Sequence, residues 1–110
     1  MLSTVHGTLA ALADETRQSV VDFLSKEPRR ASDIAAALGL TPQAMSRHLR
    51  VLRRGGLIRE EGIEDDARVR VYRLRQEPFQ ELRLWLDQVE SYWVEELTAF
   101  RDRVKKRGKK

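Results

Sequence analysis

The chain has 110 residues, a length that suits one domain with a single hydrophobic core. It has no cysteine, which excludes disulfide bonds, thiolate metal ligands and cysteine nucleophiles. Its longest apolar run, residues 34–40, is far shorter than the ~18–20 residues of a membrane span. The first residues lack the basic and then apolar pattern of a secretory signal. These features predict a cytoplasmic protein with no membrane partner.

The net charge of +4 is distributed unevenly along the chain. Residues 41–75 carry nine basic and five acidic side chains, and residues 76–100 carry one basic and six acidic ones. The last ten residues carry seven basic side chains and one acidic side chain. Because basic residues concentrated in one stretch indicate an anionic partner better than the total charge does, a nucleic acid is one expected partner. A merely solvated surface is the alternative.

The first part of the chain predicts three helices. The first spans about residues 3–13, and Asp14 is a suitable N-cap for the second, which ends before Pro28. Ser32 can cap a short third helix that stops at Gly39, the residue type favoured just past a helix end.

A fourth helix follows the third after a very short turn. Thr41 is a good N-cap, Pro42 suits the first helical position, and Gly55 and Gly56 end the helix. Two helices joined by a short turn that contains glycine are typical of a helix-turn-helix motif.

The sequence pattern changes after the two glycines. Residues 57–61 and 69–75 predict two short strands, and the polar segment between them suits a β-hairpin. A long helix is then expected over residues 78–106. The predicted fold is therefore mainly α with a small β-hairpin, a winged helix-turn-helix with a long C-terminal helix. We expect one domain over residues 1–106 and a flexible basic tail at 107–110.

The fourth helix has two contrasting faces on a wheel of about 100° per residue. Met45, Leu49 and Leu52 form the face expected to be buried. Arginine can pair with guanine and glutamine with adenine in the major groove, and a helix N-terminus can hold a phosphate. Residues 41–59 contain no Asp or Glu, which favours DNA contact over an ordinary wet face. The side chains expected to contact DNA here are Thr41, Gln43, Ser46, Arg47, Arg50 and Arg54.

Three stretches give the chain a specific resemblance: ALADETR at 11–17, SDIAAALGLTPQAMSRHLRVLRRGGLI at 32–58, and RVYRL at 70–74. The pattern S-R-H-L-x-x-L-x-x-x-G-L is its strongest part. The chain resembles the ArsR/SmtB family of dimeric bacterial repressors over roughly residues 8–75. The resemblance implies operator binding as a homodimer and release by an inducer, which the sequence does not identify. It also matches Gln43, Ser46, Arg47 and Arg50 to the recognition helix and Arg68 or Arg70 to the wing.

The metal sites of many family members have no counterpart in this sequence. The third helix lacks cysteine, the last helix lacks histidine, and the only histidines, His6 and His48, lie in different helices. Because zinc sites need about four N, S or O ligands, we expect no metal and no cofactor. The chain resembles the metal-independent branch of the family. His48 lies at the edge of the buried face and is expected to pack there or to contact the DNA backbone.

The predicted wing is unusually acidic for a DNA contact. Five acidic residues fall within seven positions, where carboxylates near phosphates would be repelled. A solvated turn is one interpretation and a divalent-cation site is another, although the spacing is not that of an EF-hand loop. DNA contact by Arg68 is therefore less secure than contact by the fourth helix. The five residues are Glu60, Glu61, Glu64, Asp65 and Asp66.

The last helix carries an apolar stripe that is wider than the ~100° a single core contact requires. Aromatic residues are enriched in interface cores, so this helix and the first are expected to form the dimer interface. Simple coverage of the monomer core by Trp85 and Tyr92, or a ligand pocket between the helices, are the alternatives. The residues expected at the interface are Leu9, Trp85, Val89, Tyr92, Trp93, Leu97 and Phe100.

Nothing in the sequence marks a catalytic site. It has no Gly-rich phosphate loop, no nucleophile elbow and no metal-ligand spacing, so no enzymatic activity is expected. The prediction is a transcriptional regulator, a homodimeric repressor that binds a palindromic operator. The alternative from another class is a protein-interaction module with the same fold, and a salt titration of DNA binding would separate the two.

Overall fold

The computed structural model describes the backbone of residues 2–63 and 66–108. It describes the side chains of these residues except those of residues 2, 3, 63, 66–68, 107 and 108. As predicted, the chain is mainly helical with one antiparallel hairpin. Its elements in order are α1 (Leu2–Ala11), α2 (Glu15–Leu24), α3 (Ala31–Leu38), α4 (Pro42–Arg54), β1 (Ile58–Ile63), β2 (Asp66–Leu74) and α5 (Glu77–Gly108).

The junction between α1 and α2 is built on two side chains. The Asp14 carboxylate accepts the Arg17 backbone N–H at 3.0 Å, which confirms Asp14 as the N-cap of α2. This hydrogen bond, aided by the Arg17 guanidinium, holds the pKa of Asp14 below its usual value. The Arg17 Nε donates to the Ala11 carbonyl at 2.6 Å and so satisfies the end of α1. The first helix therefore stops two residues before its predicted end.

The turn between α3 and α4 fixes the angle at which α4 is presented. Gly39 ends α3 in the left-handed region at φ +67°, where a side chain would be strained. The Thr41 hydroxyl then accepts the Ala44 N–H at 3.1 Å, with Pro42 as the first residue of α4. The sequence prediction of this turn is confirmed.

The predicted cap of α3 was wrong. Arg30, not Ser32, occupies the N-cap position, and it makes no side-chain capping bond. Hydrogen bonds to the hairpin explain where the helix begins. The Arg29 N–H donates to the Tyr72 carbonyl at 3.1 Å, and the Tyr72 N–H donates to the Arg29 carbonyl at 2.7 Å. The extended backbone at Arg29 is thus joined to β2, and the helix begins at Ala31 immediately afterwards.

The core lies between the end of α1, the helices α2, α3 and α4, and the start of the hairpin. Its members are apolar residues with 7% exposure or less, a set that includes all three residues predicted for the buried face of α4. They are Ala11, Val20, Leu24, Ile34, Ala35, Met45, Leu49, Leu52, Leu57 and Ile58.

The long α5 packs its first turns against this body and then leaves it. Pro78 is buried and Trp85 is half-buried, whereas every residue over 86–106 is exposed. The 32 residues of the helix span about 48 Å, and the helix runs two residues past its predicted end. No described helix is long and apolar enough to cross a membrane.

Candidate nucleic-acid interface

The outer face of α4 is the most basic helical surface next to the core. Its buried face, Met45, Leu49 and Leu52, anchors the helix so that the opposite face is held outward. Ser46 and the polar side chains at 43, 47, 50 and 54 are all exposed. In the structure these predicted site residues are therefore exposed to solvent, where a DNA duplex could contact them.

Four predicted DNA-contacting residues line one shallow depression. Gln43, Ser46, Arg47 and Arg50 surround it together with Pro42, and its volume is about 590 Å³. Two guanidinium groups, an amide and a hydroxyl thus converge on one surface, and they carry hydrogen-bond donors of the kinds that recognise base edges. Thr41 lies next to this surface, at the N-terminus of the helix.

A second cleft lies between α4 and the hairpin. It is lined by Ser46, Leu49, Arg50, Arg53, Arg54 and Tyr72 and has a volume of about 500 Å³. Arg54 falls here rather than in the first depression. Tyr72 is placed by the hairpin register, in which it pairs with Glu60, and partial burial raises the pKa of its hydroxyl.

Two of the wing acids, Glu60 and Glu61, form ion pairs with arginines. Sequence reasoning did not find these pairs. Glu60 accepts a hydrogen bond from Arg53 Nη1 at 3.0 Å and has Arg70 Nε at 3.5 Å. Glu61 has Arg73 Nε at 3.0 Å and Arg59 Nη2 at 2.8 Å. The Arg73 hydrogen bond is the main reason that the pKa of Glu61 lies below its usual value.

These pairs change the electrostatics expected of the wing. The repulsion predicted between acids and phosphates is offset at Glu60 and Glu61, because each carboxylate faces two guanidinium groups. The acids of β1 and the arginines of β2 were a signal for two of these pairs, Glu60 with Arg70 and Glu61 with Arg73. Glu64, Asp65 and the side chain of Asp66 lie outside the described residues.

The remaining predicted DNA contacts occupy different places. His48 is half-buried and turns toward the start of α2, with its Nδ1 3.9 Å from Asp14 Oδ1, so it does not share the outer face of α4. Arg70 is exposed on the wing beside Glu60. The side chain of Arg68 lies outside the described residues. These contacts stay predictions.

The stripe on α5 is exposed along most of its length. Trp93, Leu97 and Phe100 each expose 59% of their surface, and Tyr92 exposes 64%. Trp85 is half-buried, whereas Leu9 on α1 and Val89 are exposed. Contiguous exposed apolar surface is typical of interaction sites, and the assignment of these residues to the dimer interface stays a prediction.

Metal-ligating side chains do not converge in the part of the chain that the structure describes. Residues 2–63 and 66–108 contain no group of three or more His, Asp or Glu that could hold a metal ion.

Comparison with known proteins agrees with this geometry. Residues 12–61 match the family model of a helix-turn-helix domain. The chain is 32% identical over 100 residues to the HTH-type transcriptional regulator Rv2034 of Mycobacterium tuberculosis, covering 89% of this chain and 86% of that protein. The ArsR-like transcriptional regulator from Rhodococcus sp. RHA1 is 26% identical with a TM-score of 0.80, and 92% of each chain is covered.

A third relative is the homodimeric winged helix-turn-helix DNA-binding domain of Mb0332 from Mycobacterium bovis, described as a possible ArsR-family regulator. It is 25% identical with a TM-score of 0.61, covering 87% of this chain and 83% of that one. The fold and the basic outer face of α4 thus define a winged helix-turn-helix transcriptional regulator. The chain belongs to the ArsR family of these regulators, a class whose members are normally not enzymes.

Proposed function

We propose that this ArsR-family regulator is a cytoplasmic homodimeric repressor that binds an inverted-repeat operator through α4. The observation that carries the proposal is the outer face of α4, on which Gln43, Ser46, Arg47 and Arg50 line one depression with no acid in residues 41–59. Side chains of this type make bidentate contacts with guanine and adenine in the major groove. The buried Met45, Leu49 and Leu52 hold them on a rigid element, which supports sequence-specific contact.

The proposal of a homodimer is supported by α5. This helix exposes an apolar stripe that includes Trp93, Leu97 and Phe100, and the related domain from M. bovis is itself homodimeric. Charge supports self-association as well, because residues 76–100 carry a net charge of −5 and residues 101–110 a net charge of +6. An antiparallel pair of α5 helices would bring the basic end of one toward the acidic segment of the other.

A two-fold dimer requires a two-fold DNA site, and this is our first prediction. The two copies of α4 should occupy half-sites about 34 Å apart, one helical turn of DNA. The test is sedimentation at micromolar concentration combined with binding to the DNA upstream of the regulator's own gene, searched for an inverted repeat. A protein that is a monomer in sedimentation at the concentrations at which it binds the inverted repeat would contradict the dimer.

A salt titration of DNA binding separates this function from the alternative, a protein-interaction module. DNA affinity should fall steeply with salt, because each phosphate contact contributes about −0.9 to the slope of log K against log[salt]. Failure to bind any duplex at 50 mM salt would favour the alternative.

The second prediction is that metals do not release the protein from its operator. Zn²⁺, Cd²⁺ or arsenite at stoichiometric levels should leave the complex intact, because the sequence has no cysteine and its two histidines lie in different helices. Titration of each ion against a labelled operator complex measures this directly. Sharp release at one equivalent would show that a ligand set exists after all.

A further inference from the structure

Glu60 pairs with two arginines, and one of them, Arg53, lines the cleft between α4 and the hairpin. The Glu60 side chain is only 22% exposed, and each of its two oxygens faces a different guanidinium group. One belongs to Arg53, near the end of α4, and the other to Arg70, on β2. The carboxylate therefore links the two elements that are proposed to contact DNA.

The Glu60 carboxylate binds the two arginines in the way that a DNA phosphate would. Both anions accept the same charge-assisted N–H···O hydrogen bonds from a guanidinium group. Arg53 and Arg70 remain 53% and 58% exposed, so their contacts with Glu60 can be exchanged for contacts with DNA. The surroundings suit an anion, because Ser46, Arg50 and Arg54 line the same cleft.

We propose that Glu60 is an intramolecular substitute for a DNA phosphate, which suppresses binding to non-operator DNA. When the free protein meets random DNA, a backbone phosphate must displace or approach the Glu60 carboxylate before it can use Arg53 and Arg70. In the operator complex, Arg53 and Arg70 stay paired with Glu60 and the base contacts of Arg47 and Arg50 supply the affinity instead, so Glu60 weakens only the binding to non-operator DNA. The inference rests on the proposed function, and it makes Glu60 a residue that determines specificity.

The test uses Glu60→Gln, which keeps the shape of the side chain and removes its charge. Binding to a random-sequence duplex is measured at several salt concentrations, and binding to the operator duplex in parallel. The variant should bind the random duplex about 5- to 10-fold more tightly at low salt. Its salt slope should steepen by about one unit for each arginine that gains a phosphate. The ratio of operator to random affinity should fall.

The hairpin offers a matched control. Glu61 is also a carboxylate between two arginines, Arg59 and Arg73, but successive side chains of a strand point to opposite faces. Glu61→Gln should therefore leave the salt slope and the affinity ratio unchanged. Adding Arg53→Ala to Glu60→Gln should take about one unit back from the slope. Circular dichroism and thermal unfolding check that each variant is folded.

Three results would overturn the inference. Weaker binding and a shallower slope for Glu60→Gln would mean that Glu60 orients the arginines for DNA instead of competing with it. An unchanged slope would mean that Arg53 and Arg70 do not meet phosphates. Equal effects of Glu60→Gln and Glu61→Gln would indicate a general effect of net charge. If the wild-type protein binds neither duplex, the proposed function fails together with the inference. If the wild-type protein binds the operator and Glu60→Gln has the same affinities and salt slope, only the inference fails.

Discussion

Alanine in place of Arg47 or Arg50 should weaken operator binding by about 1–3 kcal/mol, roughly 5- to 150-fold, and relax the preference at one base pair. The reason is that both side chains line the depression on the outer face of α4, where bidentate pairing with guanine is possible. Neither side chain is buried, so truncation should leave the fold unchanged. Binding is measured on operator and scrambled duplexes at several salt concentrations.

Two other arginines serve as controls for this measurement. Arg53→Ala should not change the preference for the operator, because Arg53 lies beside the buried face, pairs with Glu60 and is expected to act only as a phosphate contact or a bystander. Arg83→Ala should have no effect, since Arg83 is exposed on α5, away from α4. Equal losses on operator and scrambled DNA for Arg47→Ala and Arg50→Ala would make α4 a phosphate-binding helix and the assignment of specificity wrong.

Replacing Trp93 and Leu97 together with glutamate should break the dimer. Two carboxylates in an apolar interface would lose the burial of both side chains and would need desolvation, which should raise the dimer Kd by at least ~100-fold. Both residues are 59% exposed in the monomer, so the monomer fold should be retained. Sedimentation gives the oligomeric state, and operator affinity should fall because one recognition helix is lost from each complex.

Leu84→Glu is the matched control for the dimer. Leu84 lies on the same helix and is 63% exposed, but at about 100° per residue it falls on the face away from Trp93 and Leu97. This variant should remain a dimer. Persistence of the dimer in the Trp93 and Leu97 double variant would place the interface elsewhere.

The sequence by itself determined the helix-turn-helix and the two faces of α4. The Thr41 cap, Gly39 and the spacing of Met45, Leu49 and Leu52 act within one or two turns of helix, so each could be assigned from its near neighbours. The exposed stripe of α5 followed from the same periodicity. The residues assigned to DNA contact and to the dimer stay predictions that the experiments above address.

Only the tertiary structure decided which charges meet. Glu60 and Arg53 belong to different elements, and their contact depends on how the hairpin packs against α4. The pairing of Glu60 with Arg70 depends on the strand register, where a shift by one residue would turn each side chain to the opposite face. The start of α3 was fixed in the same way, by backbone hydrogen bonds to Tyr72 on a distant strand. Local patterns contain no such distances, because these distances arise only when separate elements are packed together.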